Sequence, residues 1–254
     1  MANLIYWCLQ KTPEPSTARA CLSPAEINIY EGFRFEARQK SWLAGRFTAK
    51  HLVSQVYAGI PDGKYTPELR TSSQIEIRNN DLGAPSAYLN NQPLPGCLSI
   101  SHSGDWAASA YAPSGSQIGI DLERITPRSD AFMQDYFTHN EVQKISAMKA
   151  EIGLAGEGLK NNQPAAELVT LIWSAKEAML KALGIGLRID TRQVEVRAID
   201  GVDKTDPGNW NRLVLSSKHV STPVVAYWQM FDRYLLTLVV LRNDGLKVPL
   251  IEVN

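Results

Sequence analysis

The segment IGIDLER at residues 118–124 indicates the local structure most clearly in this 254-residue chain. Alternate residues of a β-strand point to opposite faces, so the apolar residues at 118, 120 and 122 would line one face. Asp121 and Glu123 would share the other face with Gly119, which lets a ligand approach the backbone closely. Two carboxylates on one strand face repel each other without a cation between them. The segment therefore predicts either a solvated acidic face or a strand that binds a cation.

The segment WSAKEAMLKALG at residues 173–184 closes a predicted helix that starts near residue 165 and ends at Gly184. Glu177 and Lys181 lie four residues apart in the order that favours a helical ion pair, which is one interpretation of them. The other is that Glu177 joins Asp121 and Glu123. Three carboxylates that converge from a strand and a helix make an oxygen site suited to Mg²⁺.

The segment LSISHSG at residues 98–104 predicts a strand that ends in polar side chains. Hydroxyls such as that of Ser101, the imidazole of His102 and free backbone N–H groups could together hold a phosphate. A polar turn with a surface histidine is the alternative. A Ser/His/Asp hydrolase that uses Asp121 is a weaker possibility, because GxSxG is absent and adjacent residues of a strand point to opposite faces.

Residues 34–50 contain five basic residues and a single acidic one, Glu36. The basic residues, called the basic run, are Arg34, Arg38, Lys40, Arg46 and Lys50. If this stretch is helical, like charges four residues apart repel each other slightly. A bound polyanion would relieve that repulsion. A solvated basic face is the alternative.

Helices and strands are predicted in two successive groups, which indicates two α+β halves with a boundary near residue 115. The first half would span residues 1–115 and the second residues 116–254. One helix is predicted to begin at Ser23-Pro24, and further helices are predicted over 42–56, 130–149 and 165–183. Loops are predicted over 59–73 and 151–167. The predicted strands are 4–9, 74–78, 97–101, 106–111, 118–125, 194–198, 213–216, 224–230 and 234–241.

Composition excludes several classes of protein. The 26 Lys and Arg balance 26 Asp and Glu, and 44% of residues are hydrophobic, as in an ordinary globular protein. No net field would attract nucleic acid or a membrane surface, so neither is expected as a partner. Three cysteines without a CxxC motif indicate reduced thiols. With no signal-peptide pattern and no apolar run near the ~20 residues of a membrane helix, a cytoplasmic protein is predicted.

Taken together, the segments at 98–104, 118–123 and 173–184 resemble the signature of the Sfp-type 4′-phosphopantetheinyl transferases, and WLAGR at 42–46 is similar to a stretch of that family's N-terminal half. The resemblance implies an α+β pseudo-dimer of two similar halves in one chain, with the active site between them. It also implies a monomer that transfers phosphopantetheine from coenzyme A to a serine of an apo acyl or peptidyl carrier protein, with release of 3′,5′-ADP.

Matched position by position, the resemblance implies roles for individual residues. Asp121, Glu123 and Glu177 would hold Mg²⁺, and Lys181 would lie beside the pyrophosphate. Ser101 and His102 would contact the phosphates of coenzyme A, while Trp173 and Lys176 would support the helix near the site, with Lys176 counted among the coenzyme A-binding residues. The base that activates the serine is left open between Glu177 and a magnesium-bound water.

The sequence departs from the family pattern where the coenzyme A 3′-phosphate is usually held. Glu26 and Ile29 stand at positions that are usually basic, and Ala84 stands where a lysine is usual. Arg34, Arg38 or Lys40, in the basic run, is expected to compensate, because a buried phosphate without partners is very unfavourable. The alternative to an enzyme is a non-catalytic module of the same fold that binds a carrier protein or coenzyme A.

Overall fold

A computed structural model describes residues 4–58, 72–113, 116–154, 163–185, 189–200, 210–221, 224–241 and 250–253. Its helices are Pro15–Arg19 (α1), Pro24–Glu31 (α2), Glu36–Ala58 (α3), Asp130–Tyr136 (α4), His139–Leu154 (α5) and Gln163–Ala182 (α6). Its strands are Ile5–Lys11 (β1), Ile75–Asn79 (β2), Pro85–Leu89 (β3), Gln92–Pro93 (β4), Cys97–Ser103 (β5), Trp106–Ala112 (β6), Gln117–Arg124 (β7), Val194–Ile199 (β8), Asn211–Ser217 (β9), Val224–Phe231 (β10), Tyr234–Leu241 (β11) and Leu250–Glu252 (β12). The predicted α+β class is confirmed.

The chain divides into two compact units, Met1–Ile120 with Leu246–Asn254, and Asp121–Gly245. The predicted division instead assigned all of residues 116–254 to the second half. The difference at the C-terminus has a specific cause, because β12 pairs in parallel with β1 and the Val253 N–H donates to the carbonyl of Trp7 at 2.8 Å. Pairing between strands so far apart in sequence leaves no local signal.

In the first unit, helix α3 packs against a four-stranded sheet of order β12-β1-β6-β5 and also contacts β2 of a three-stranded sheet, β2-β3-β4. Gly45 allows a close approach, since a Cβ atom there would lie 3.0 Å from Cγ2 of Ile100 on β5. Helix α2 begins with the capping box formed by Ser23 and Glu26. The predicted loop over 59–73 lies largely outside the described residues.

In the second unit, helix α6 packs on a five-stranded sheet of order β7-β11-β10-β9-β8. The apolar stripe of α6 faces a core that includes Met179, Leu235 and Val239. The single helix predicted over 130–149 is in fact two, α4 and α5. The two helices are separated at Thr138. Its N–H donates to the carboxylate of Glu141 at 2.8 Å, and its hydroxyl accepts from the N–H of Glu141 at 3.3 Å. This reciprocal capping starts a new helix.

Two further observations concern the ends of α5 and α6 and the membrane character of the helices. The predicted loop over 151–167 is wrong at both ends, since α5 runs to Leu154 and α6 begins at Gln163, while residues 155–162 lie outside the described residues. Among the helices in the described part of the chain, none combines the length and apolar character needed to span a membrane.

Candidate active site: an acidic cluster on a strand and a helix

Strand β7 carries the two predicted acidic residues, and its environment differs from a solvated face. Asp121 is only 3% exposed, and the residues from Ile118 to Leu122 are all buried. The sequence pattern predicted the strand, but the interpretation as a solvated acidic face is wrong for Asp121. A carboxylate buried this deeply requires compensating partners.

Lys181 supplies the charged partner of Asp121. Its Nζ atom lies 2.7 Å from Oδ1 of Asp121, and the lysine side chain remains 27% exposed. The Ser174 hydroxyl of the same helix donates to the backbone carbonyl of Asp121 at 3.4 Å. The ion pair of Lys181 therefore reaches across to β7, and a pair with Glu177 along the helix was one of the two interpretations of the sequence. It brings a strand carboxylate and a helix ammonium to one place.

Glu123 is held at both carboxylate oxygens. The indole Nε1 of Trp173 donates to Oε1 at 3.1 Å, and the Arg128 guanidinium lies 3.3 Å from Oε2. Trp173 thus anchors a site residue directly, beyond the helix-supporting role that the resemblance implied. Sequence reasoning did not identify Arg128, because it lies in an irregular segment after Pro127 where no periodic pattern applies.

Asp121, Glu123 and Glu177 together form the acidic cluster, and the pKa values show that their carboxylates influence one another. Burial, and next the neighbouring charge of Asp121, raise the pKa of Glu123 to about 7. The same two causes raise the pKa of Glu177 to about 7, against the opposing effect of Lys181. Asp121 and Glu177 both contribute to raising the pKa of Glu123. Elevated carboxyl pKa values of this kind indicate unfavourable negative charge that an added cation would relieve.

The donor set fits Mg²⁺, which prefers carboxylate oxygens and a small number of protein ligands. In the described part of the chain, however, no three Asp, Glu, His or Cys side chains are arranged as a ready-made metal site. Protein cations lie at two of the carboxylates instead, Lys181 at Asp121 and Arg128 at Glu123. The acidic cluster thus has suitable chemistry, and side-chain movement would be needed for its oxygens to surround one ion.

Lys176 has a structural environment that the sequence did not predict. It is fully buried, its ammonium lies 2.8 Å from Oε2 of Glu141, and it donates to the carbonyls of Thr191 and Val194. Glu141 in turn accepts from the N–H of Val196 at 2.8 Å. The prediction that Lys176 contacts coenzyme A is therefore corrected, because the side chain has no exposed surface for a ligand. Glu141 was missed, since its sequence position indicates only a helix start.

The residues predicted to hold the 3′-phosphate, with Ser101, lie in the first unit, on α3 and β5. Ser101 is 7% exposed, whereas His102 beside it is exposed. Lys40 is exposed and reaches Asp105, in the turn after β5, with a distance of 3.4 Å from Nζ to Oδ1. The ion pair between Lys40 and Asp105 thus links helix α3 to the turn that follows the strand of His102. The guanidinium of Arg38 is exposed and lies 5.4 Å from the ring centroid of Phe33.

The basic run does not form one solvated face. Lys50 is fully buried in an ion pair with Glu26 and donates to the carbonyl of Cys21 at 2.6 Å. Arg46 is also buried, donates to Oδ1 of Asn79 at 2.9 Å and lies over the Trp42 ring. The hypothesis of a common basic face is therefore wrong for these two residues. It stays open for Arg34, Arg38 and Lys40, which are exposed.

Comparison with known proteins identifies the family of this chain. The profile of the 4′-phosphopantetheinyl transferase superfamily matches residues 117–223, which include β7 and α6. A holo-[acyl-carrier-protein] synthase of Streptococcus thermophilus is 36% identical over 99 residues, 38% of this chain and 75% of that protein. The chain belongs to the 4′-phosphopantetheinyl transferase superfamily.

Two longer relatives extend the similarity beyond that segment. A phosphopantetheinyl transferase of Thraustochytrium is 28% identical over 171 residues, 66% of this chain and 54% of that protein. The human L-aminoadipate-semialdehyde dehydrogenase-phosphopantetheinyl transferase is 26% identical over 183 residues, 68% of this chain and 52% of that protein. The chain spans about half the length of these two relatives.

The raised carboxyl pKa values predict how stability depends on pH. Between pH 4.5 and about 7 the unfolded chain ionises Glu177 while the folded protein keeps its proton, so the folded state loses stability as pH rises. Without divalent cations, Glu177→Gln should therefore raise the free energy of unfolding at pH 8 by about 1–2 kcal/mol, with little gain at pH 4.5. Urea unfolding at both pH values measures this.

A matched control is Glu167→Gln on the same helix. Oε1 of Glu167 accepts from Gln163 at 3.0 Å, a hydrogen bond that glutamine can also accept. This variant should show the same small change at both pH values. A Glu177→Gln variant that is less stable than the wild-type protein at pH 8 would contradict the interpretation of the pKa.

Proposed function

We propose that this protein transfers the 4′-phosphopantetheine group from coenzyme A to a serine of an apo acyl or peptidyl carrier protein. The serine oxygen would form a bond to the β-phosphorus, the bond from that phosphorus to the bridging oxygen would break, and 3′,5′-ADP would leave. Membership of the superfamily supports the reaction class. The observation that carries the proposal is the acidic cluster of Asp121, Glu123 and Glu177 with Lys181 at its edge.

The proton of the attacking serine needs an acceptor, because a serine hydroxyl is a weak nucleophile at neutral pH. Glu177 is the proposed base. Without a bound cation, its pKa of about 7 leaves a substantial fraction ionised and able to accept a proton at neutral pH. A carboxylate with an ordinary pKa would be a weaker base, so the burial of Glu177 next to Asp121 suits the task.

Lys181 is the proposed partner of the pyrophosphate. Its ammonium is partly exposed and held against Asp121, so positive charge is available at the edge of the cluster. Charge builds on the leaving phosphate as its bond breaks, and a positioned cation stabilises that charge. Asp121, Glu123 and Glu177 would hold Mg²⁺, which supplies further neutralisation of phosphate oxygens when bound.

We propose that His102 holds the 3′-phosphate of coenzyme A together with Arg34, Arg38 or Lys40. Ser101, beside His102 on β5, would also contact the phosphates of coenzyme A. The contact between Lys40 and Asp105 supports this grouping, because it joins α3 to the turn that follows His102. Glu26, at a position that is usually basic in the family, is neutralised by Lys50 and buried, so it presents no negative charge to a ligand.

This grouping predicts that Lys40→Met raises the KM for coenzyme A by about three- to tenfold, because a charged hydrogen bond to the 3′-phosphate is lost. The KM for 3′-dephospho-coenzyme A should not change, since that donor lacks the group in question. Arg197→Met, which removes an exposed arginine of the second unit, is the control. Equal effects of Lys40→Met on both donors would reject the assignment.

We also propose that the working protein is a cytoplasmic monomer. Two α+β units within one chain support the monomer, and three free cysteines support the cytoplasmic location. Sedimentation at micromolar concentration tests the oligomeric state, and a stable trimer would contradict it.

The decisive test of the function is incubation of purified protein with coenzyme A, Mg²⁺ and several apo carrier proteins, followed by intact-mass spectrometry. The expected result is a carrier that gains the mass of one phosphopantetheine group, with 3′,5′-ADP formed in equal amount. A protein that binds coenzyme A and carrier but never produces the mass shift would instead be the non-catalytic module.

A further inference from the structure

Arg128 lies in the segment between β7 and α4 and contacts the acidic cluster through Glu123. The distance from Nη2 of Arg128 to Oε2 of Glu123 is 3.3 Å, and Trp173 donates to the other oxygen at 3.1 Å. Both oxygens of Glu123 thus have a protein donor, of which one carries a full positive charge. The side chain of Glu123 remains 21% exposed, so the carboxylate is accessible from outside as well.

Aromatic packing keeps Arg128 beside this carboxylate. The centre of its guanidinium lies 5.1 Å from the ring centroid of Phe132. Phe132 packs against Trp173 with ring centroids 5.0 Å apart, and Tyr136 packs against both. Nε of Arg128 is buried and finds no hydrogen-bond acceptor among the described residues. Arg128 therefore donates to Glu123 through Nη2, while the ring of Phe132 packs against its guanidinium and keeps it in place.

The acidic strand thus has two protein cations, one at each carboxylate. Lys181 lies at Asp121, and Arg128 lies at Glu123. Each of these two carboxylates thus has a protein cation beside it, which agrees with the lack of a ready-made metal site among the described side chains. A divalent cation that approaches Glu123 meets a fixed positive charge within a few ångströms of the oxygen it would use.

We propose that Arg128 is the resident counter-ion of Glu123 and competes with a divalent cation for that carboxylate. The proposal rests on the proposed function, in which Asp121, Glu123 and Glu177 hold Mg²⁺. Two positive charges near one carboxylate oxygen repel each other, and the repulsion is larger in a partly buried site than in water. Arg128 therefore lowers the affinity of the acidic cluster for a divalent cation when no substrate is bound.

A purely supporting role for Arg128 makes the opposite prediction. If Arg128 only oriented Glu123 as a metal ligand, its removal would weaken metal binding, as loss of such outer contacts usually does. The sign of the change in affinity therefore separates the two roles. A change in packing alone would lower stability without tightening metal binding.

The test is titration of the protein with Mn²⁺, followed by electron paramagnetic resonance of the free ion, without coenzyme A or carrier protein. Measurements at pH 8, in oxygen-free buffer, keep the carboxylates of Glu123 and Glu177 largely ionised in the wild-type protein. Arg128→Met removes the charge but keeps an apolar side chain to cover Phe132. Arg128→Lys keeps the charge, and Arg212→Met removes an exposed arginine from β9 of the same unit.

We expect Arg128→Met to bind Mn²⁺ at least about threefold more tightly than the wild-type protein, and Arg128→Lys and Arg212→Met to stay within about twofold of it. Unchanged or weaker binding by Arg128→Met would overturn the proposal, as would the lack of saturable binding in every variant. Failure of the transfer assay would reject the proposed function without altering this binding result, so the two failures are distinguishable.

Discussion

Asp121→Asn is expected to lower the rate of phosphopantetheine transfer by at least about a hundredfold. Asparagine keeps the shape of the side chain but removes the buried charge that pairs with Lys181 and raises the pKa of Glu123 and Glu177. Loss of that charge would remove one ligand of the proposed cation, release Lys181 and leave Glu177 a weaker base. The measurement is the initial rate at which an apo carrier protein gains the mass of one phosphopantetheine group.

Asp232→Asn is the matched control for this variant. Asp232 is exposed in the turn between β10 and β11, and its backbone has a φ of 49°, which asparagine adopts readily. Circular dichroism and the melting temperature should show that both variants are folded. A folded Asp121→Asn protein with a rate within about threefold of the wild type would remove Asp121 from the catalytic machinery.

Lys181→Met is the companion variant, and we expect at least about a tenfold loss of rate, equivalent to ~1.4 kcal/mol of transition-state stabilisation. Asp121 is buried, so Lys181→Met leaves its carboxylate without its charged partner and should also lower stability. The rate is therefore measured below the melting temperature of the variant, where an ion pair of purely structural value would leave turnover nearly normal. Unchanged kcat in Lys181→Met, with loss of activity in Asp121→Asn, would assign the catalytic role to the carboxylates alone.

The largest expected effect on stability comes from Lys176. Lys176→Met should lower the free energy of unfolding by about 3–5 kcal/mol, because it leaves the carboxylate of Glu141 buried without its cation. Both side chains are fully buried, and the lysine also donates to the carbonyls of Thr191 and Val194. Urea unfolding of the purified variant at low temperature measures the loss.

The double variant Glu141→Gln with Lys176→Met distinguishes a buried charge from lost packing. Glutamine still accepts a hydrogen bond from the N–H of Val196 but carries no charge, so the double variant should recover part of the lost stability. Because Lys176 has no exposed surface, Lys176→Met should also leave the KM for coenzyme A unchanged below its melting temperature. A large increase in that KM would restore the predicted coenzyme A contact.

The basic run shows where local pattern and tertiary structure diverge. The sequence predicts a helix over 42–56, which includes the last two residues of the run, and α3 confirms it, because helical periodicity is a property of neighbouring residues. The sequence does not show that Lys50 would meet Glu26, which lies on another helix 24 residues earlier. Whether a charged side chain faces solvent depends on such distant partners, so the burial of Lys50 and Arg46 was not predictable from spacing.

The sequence by itself determined that β7 is a strand and α6 a helix, because alternation and helical spacing are local properties of the chain. It singled out Asp121, Glu123, Glu177 and Lys181 through the resemblance of their segments to a family signature. Only the tertiary structure decided which charges meet. It pairs Lys181 with Asp121, Arg128 with Glu123 and Lys176 with Glu141. The physical reason is that an ion pair depends on distances of a few ångströms between side chains of different elements, which packing fixes and sequence separation does not.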